Sequence, residues 1–201
     1  MKIIIVRHAQ TNDNVGGNLA ARTMDSPLNE EGILQAKKLG EHLKNENITH
    51  AYTSPQRRAV HTAEYVLEHH RGVALVQEED LREQNMGELD GLPKEEVKQI
   101  RKNAPEPWHL FRAKEGESYA QLQLRAKEFF HGLVQKHPDA TVLVVSHGGT
   151  LGVLLLDILE KELTEEDYRS HQPKNTEFTI IEISPDGKKT VQVLNSNEHL
   201  K

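Results

Sequence analysis

The chain has 201 residues, 36% hydrophobic and 28% charged, enough to bury one sizeable core, and a single domain over 1–201 is expected. It holds no cysteine, which excludes disulfides, thiolate catalysis and cysteine zinc sites; its net charge of −6 argues against nonspecific nucleic-acid binding, whose affinity comes from neutralising phosphates. No run approaches the roughly 18 apolar residues of a membrane span, and the apolar run after Met1 is too short for a signal-peptide core, so a cytoplasmic protein with no membrane partner is expected.

Ile3-Ile4-Ile5-Val6 reads as a strand buried on both faces, turning abruptly polar at Arg7 and His8. A polar loop follows through Asn12, Asp13, Asn14 and Gly16-Gly17, where Asn and Asp suit turn backbones. Asn29-Glu30-Glu31 opens a helix with carboxylates at the positive end of its dipole and an apolar stripe of Ile33, Ala36, Leu39 and Leu43. After a strand at 51–53, Ser54-Pro55 is expected to start the next helix, with Ser54 as its cap. Arg57 and Arg58 fall in the first turn, where the dipole disfavours cations; such broken local rules gather at functional sites. His69 and His70 read as surface residues near the helix end, and 73–76 reads as a strand.

Residues 81–91 form a glycine-punctuated polar loop, and irregular sequence runs on to Gly116 around a short helix over 93–102. The segment 84–117 reads equally as a lid or specificity segment and as a surface excursion whose Trp108 plugs a satellite core. Ser118-Tyr119-Ala120-Gln121 is a capping-box pattern opening an amphipathic helix with Leu122, Ala126, Phe129, Phe130, Leu133 and Val134 on one face. A second buried strand at 141–145 ends in Ser146-His147-Gly148-Gly149, followed by an apolar helix over 151–159. Two final strands, 177–184 and 190–194, join through Pro185-Asp186-Gly187.

Strands alternating with helices predict an α/β fold: a three-layer α/β/α sandwich around a mostly parallel, doubly wound sheet, with ligands outside the carboxyl ends of its strands. Arg7, His8, Arg58 and His147 can all reach that crevice. Arginine forks match phosphate oxygens, and the glycine pair lets backbone N–H groups, with Gly148 foremost, approach an anion at a helix start. Phosphoryl transfer is the chemistry suggested. A lone histidine at a strand end is more often structural, but two of them beside anion-binding features point to a site. Arg57 reads as a surface cation, and Arg58 as a surface ion-pair partner is also credible. Sequence pattern alone leaves Glu83 unassigned.

Taken in order, Arg7-His8, Ser54-Pro55-Gln56-Arg57-Arg58-Ala59 with Thr62-Ala63, Leu81-Arg82-Glu83 with Gly87 and Gly91, and Ser146-His147-Gly148-Gly149 resemble the histidine phosphatase superfamily, the phosphoglycerate mutase-like proteins. The resemblance spans essentially the whole chain. It implies that His8 is the nucleophile that becomes phosphorylated and that Arg7, Arg58 and His147 bind the phosphoryl group. It also implies that Glu83 donates and accepts protons and that Asn14 contributes to the phosphate pocket. Ala9 and Gln10 stand where such families usually carry Gly and Glu. The implied activity is a phosphomonoesterase for small phosphate esters needing no metal and no cofactor; a cofactor-dependent phosphoglycerate mutase or a noncatalytic phospholigand-binding module are the alternatives. Gly148-Gly149-Thr150 and the short interval from Glu83 to His147 favour the phosphatase. Trp108, His109, Phe111, Arg112 and Lys114 are expected to cap the ester, whose identity the sequence leaves open, as it does the oligomeric state.

Overall fold

The structure, a computed structural model, describes residues 1–16 and 25–201. Its strands are β1 (Lys2–Arg7), β2 (His50–Thr53), β3 (Leu75–Gln77), β4 (Thr141–Ser146), β5 (Phe178–Ile183) and β6 (Lys189–Ser196), in one sheet of order β3-β2-β4-β1-β5-β6. β1 pairs parallel with β4, setting Ile4 opposite Leu143, and antiparallel with β5, setting Ile4 opposite Ile180. β2 runs parallel to both β3 and β4, so the sheet departs from the parallel rule only at β5, which opposes both β1 and β6.

The helices are α1 (Asn12–Gly16), α2 (Glu30–Leu43), α3 (Arg57–Leu67), α4 (Lys94–Asn103), α5 (Tyr119–Lys136), α6 (Gly148–Ile158) and α7 (Glu165–His171). Alternate side chains of β1 point to opposite faces of the sheet, and this sorts the layers. Ile3 and Ile5 pack with Ala126, Phe130 and Leu133 of α5 and with Leu151 and Leu154 of α6. Ile4 and Val6 pack with Leu39 and Leu43 of α2 and with Ala59, Ala63 and Val66 of α3. The expected three layers result, and each fully buried side chain of β1 contributes roughly 1.5–3 kcal/mol. The predicted caps form as well: Asn29 accepts the Gly32 N–H at 2.8 Å, and Ser118 with Gln121 closes a capping box.

Four expectations change. α3 starts at Arg57 with Gln56 before it, not at Ser54-Pro55, because Ser54 continues the sheet by donating its N–H to the Val145 carbonyl at 3.0 Å. β3 starts at Leu75, since the chain leaves α3 through Gly72 at φ 85° and reaches the β2 edge two residues later than expected. The polar loop after His8 holds α1, a single turn in which Asn14 Oδ1 accepts the Thr11 N–H at 3.0 Å and the Asn14 N–H returns to Thr11; Gly17 lies outside the described residues. His70 is buried, whereas His69 is exposed as expected. α7 had no counterpart in the sequence reading, although Thr164 caps it by accepting the Asp167 N–H at 3.1 Å.

Candidate active site

His8 follows the stiff β1 strand and is 3% exposed. Its Nδ1 lies 2.7 Å from the Ala9 carbonyl oxygen, which can only accept, so Nδ1 carries the proton and Nε2 keeps its lone pair. Burial, then the Arg58 and Arg7 charges, hold its pKa well below the ordinary histidine value, which keeps the ring neutral. The strand end is tied on two sides. Thr62 of α3 accepts the Ala9 N–H at 2.9 Å and donates to the Arg58 carbonyl at 2.6 Å. From the other side, Asn175 Nδ2 donates to the His8 carbonyl at 2.9 Å and to Asn14 Oδ1 at 3.1 Å.

Arg7 is held by the segment leading into β5: its Nη1 donates to the Pro173 carbonyl at 2.7 Å. The Thr176 N–H donates to the Arg7 carbonyl at 3.1 Å, with Thr176 itself at φ 55°. A β-branched residue in the left-handed region is a strained position of the kind that persists where surrounding structure over-determines it. Arg58, 1% exposed, donates from Nε to His147 Nδ1 at 3.3 Å, and Arg57 is exposed as expected. Because His147 Nδ1 accepts, its Nε2 donates to Ser54 Oγ at 2.7 Å. The two imidazoles face each other with ring centroids 5.1 Å apart, and burial, then Arg58, keeps His147 neutral too. Burial also lowers the pKa of both guanidiniums, with the Glu83 charge opposing it.

Glu83 is gripped through its backbone. Thr150 Oγ1 and Ser146 Oγ each donate at 2.7 Å, to the Arg82 and Leu81 carbonyls, and the Glu83 N–H donates to Gln56 Oε1 at 2.9 Å. Its carboxylate accepts from the N–H groups of Gly149 at 3.0 Å, Thr150 at 3.2 Å and Gln84 at 2.8 Å. The anion met by the start of α6 is therefore this carboxylate. A Cβ on Gly149 would sit 2.3 Å from Glu83 Oε1, and one on Gly148 would sit 3.2 Å from the Arg7 guanidinium, which explains the glycine pair.

A cavity of about 790 Å³ opens over these groups; His8, Arg7, Asn14, Glu83 and Gly148 line it. Arg58 and His147 stand beside His8 without lining the cavity among the described residues. Of the five expected capping residues only Trp108 reaches it. Phe111 packs with Met86, Leu89 and Val97, and Arg112 lies on a separate surface groove. Trp108 also stacks on Tyr119 with ring centroids 4.3 Å apart and packs against Tyr168, so it fills a satellite core and walls the cavity at once. Gln10 is taken up by the cap of α2, accepting from Asn29 Nδ2 at 3.0 Å, and Ala9 is fully buried, so neither departure lines the cavity. Among the described residues no group of three or more His, Cys, Asp or Glu side chains is arranged to hold a metal ion. The sequence reading missed Ser54, Gln56, Asn175 and Tyr168. The serine and glutamine stand inside the Ser54–Ala59 motif, while nothing local marks the other two.

A sequence model of the histidine phosphatase superfamily (branch 1) matches residues 3–197. The chain belongs to that superfamily. A superfamily relative, the metal-independent phosphoserine phosphatase of Arabidopsis thaliana, is 31% identical over 168 residues, covering 79% of this chain and 69% of that one. The solved structure of YhfR from Bacillus stearothermophilus is 31% identical with a TM-score of 0.89, covering 100% of this chain and 99% of the other. A phosphoserine phosphatase from Entamoeba histolytica, solved with 3-phosphoglyceric acid, is 26% identical with a TM-score of 0.84, over 100% of this chain and 99% of that one. Relatives in that superfamily are phosphatases and mutases, so phosphoryl transfer is the class of chemistry the membership supports.

Proposed function

We propose that this protein is a phosphomonoesterase acting on small phosphorylated metabolites through a phosphohistidine at His8. The observation that carries the reading is the His8 ring: neutral, buried, and fixed by the Ala9 carbonyl so that Nε2 is the unprotonated nitrogen. Nε2 attacks phosphorus, the P–O ester bond breaks, and Glu83 gives a proton to the leaving alkoxide. Glu83 then takes a proton from water, whose oxygen attacks phosphorus as the P–N bond breaks. Arg7, Arg58 and His147 stabilise charge on the equatorial oxygens, with Asn14 and Gly148 completing the pocket; each such donor is worth roughly 3–4 kcal/mol. In this mechanism no metal takes part, and the segment 84–117 serves as the specificity wall.

Rapid quench of protein turning over p-nitrophenyl phosphate should trap acid-labile, base-stable phosphate on His8, and His8→Ala should abolish both the label and turnover, with a chelator leaving turnover unchanged. Absence of label, or near-normal activity in His8→Ala, would overturn the mechanism. Transfer of the label to phosphoglycerate in preference to water would make the protein a mutase.

A further inference from the structure

β6 does not run straight to its end. Its register against β5 shifts between Phe178 and Ile181, and Asn195 sits at φ 44°, an irregularity of the kind that bends a strand. The bend is pinned: the Asn195 N–H donates to Thr179 Oγ1 at 3.0 Å, and Asn195 Nδ2 donates to the His171 carbonyl at 2.9 Å. A single 3-10 turn follows at Glu198–Leu200 and packs on α2. It lays the His199 ring beside Phe178 and His42, with centroids 5.8 and 6.1 Å away, and leaves the residue 9% exposed.

His199 Nε2 lies 3.0 Å from Thr176 Oγ1. That hydroxyl commits its own proton to the Asn175 carbonyl at 2.8 Å, so it accepts from His199, whose Nε2 carries the ring proton. Nδ1 is buried with no hydrogen-bond partner among the described residues, which suits a neutral ring. Burial, then the His42 and Lys38 charges, push its pKa down to about 4. His199 does not line the cavity and reaches the site through one neighbour. Thr176 is fully buried at φ 55°, and its N–H is shared between the carbonyls of Arg7 at 3.1 Å and His8 at 3.4 Å. Asn175 donates to the same His8 carbonyl at 2.9 Å. A β-branched residue keeps a left-handed backbone only where its surroundings hold it, and the bond from His199 is a hold on its side chain.

We propose that His199 is a positioning residue for phosphoryl transfer, gripping Thr176 so that Asn175 and Thr176 fix the Arg7 and His8 carbonyls from behind the cavity. The inference rests on the phosphatase reading above. The ring exchanges no proton with the substrate. Loosening its grip lets the nucleophile drift from the line of attack while the guanidiniums still bind the phosphoryl group, so the loss falls on kcat.

The test compares the native protein with His199→Phe, His199→Gln and Thr176→Val on p-nitrophenyl phosphate, each with a circular-dichroism melt. His199→Phe keeps a ring beside His42 and Phe178 without the donor, and should lower kcat about tenfold with KM within about twofold. His199→Gln can still donate to Thr176 and should recover most of that loss. Thr176→Val removes the acceptor and should match His199→Phe, and the two combined should be no worse than either alone. Native kcat in His199→Phe, no recovery in His199→Gln, or additive losses in the double variant overturns this inference alone. If one of the two disruptive variants fails to fold, the other carries the comparison; loss of the fold in both makes the contact structural and overturns the positioning role. A native protein inert on p-nitrophenyl phosphate and on small phosphate esters fails the phosphatase reading itself.

Discussion

At the scale of single residues, the two glycines after His147 show how a side chain that is absent can carry function. Gly149 leaves room for the Glu83 carboxylate, and its own N–H grips that carboxylate at 3.0 Å. Gly149→Ala should therefore push the proposed acid aside while leaving residue 83 a glutamate, and reproduce the signature of Glu83→Gln. Both variants should lose roughly 100-fold or more on esters with poor alkoxide leaving groups and much less on p-nitrophenyl phosphate, whose leaving group needs little proton. Equal losses on both ester types would remove Glu83 from general-acid duty. The same carboxylate marks a limit of reading from sequence: Glu83 looks like any loop glutamate until Gly149, Thr150 and Gln84 surround it. Arg7 and His8 were legible because an abrupt change from β-branched to polar residues is a local signal.

At the scale of elements, the loop bearing Glu83 is fixed by a helix that never reaches the cavity through the same residue. Arg125 of α5 donates to Glu117 at 2.7 and 3.0 Å and to the Arg82 carbonyl at 2.9 Å, joining the helix to both ends of the 84–117 segment. The pair is largely buried, with side chains 15% and 13% exposed, so removing one partner strands the other. Arg125→Met should cost about 3 kcal/mol in urea unfolding, the low end for a buried pair because both side chains keep some exposure, and lower kcat with it. A stability loss with kcat intact would show that the loop keeps its place without this brace. Elements with a period or a cap were readable in advance, among them β1, α2, α5 and α6. The single turn of α1 has no period to read, and the start of α3 was misplaced because Ser54, a good cap by type, is committed to the sheet and to His147. Asn175 lies far from His8 in sequence, and only the β1–β5 pairing brings it there.

Across the whole molecule, burial of neutral histidines ties stability to pH. His8 and His147 are held well below the ordinary histidine pKa of 6.5, and His199, beside Thr176, is pushed down to about 4. In the unfolded chain these rings take up protons near 6.5 while the folded protein refuses them, so the unfolded state binds more protons as pH falls. Stability should hold above about pH 7 and decline below about 6.5, by up to roughly 1.4 kcal/mol per pH unit for each such ring. Urea midpoints at pH 7.5 and 5.5 measure it, and a flat profile would contradict the neutral-ring assignment. The sheet order has a consequence in time as well. Both neighbours of β1, β4 at 141–146 and β5 at 178–183, lie far downstream of it in the chain. As the chain leaves the ribosome, Ile3-Ile4-Ile5-Val6 emerges long before either of its flanking partners in the sheet exists. Non-local pairing of this kind is slow and exposes strand edges meanwhile. The strand that ends at His8 in the finished fold is thus, during translation, an apolar segment with both edges open, which a chaperone would shelter.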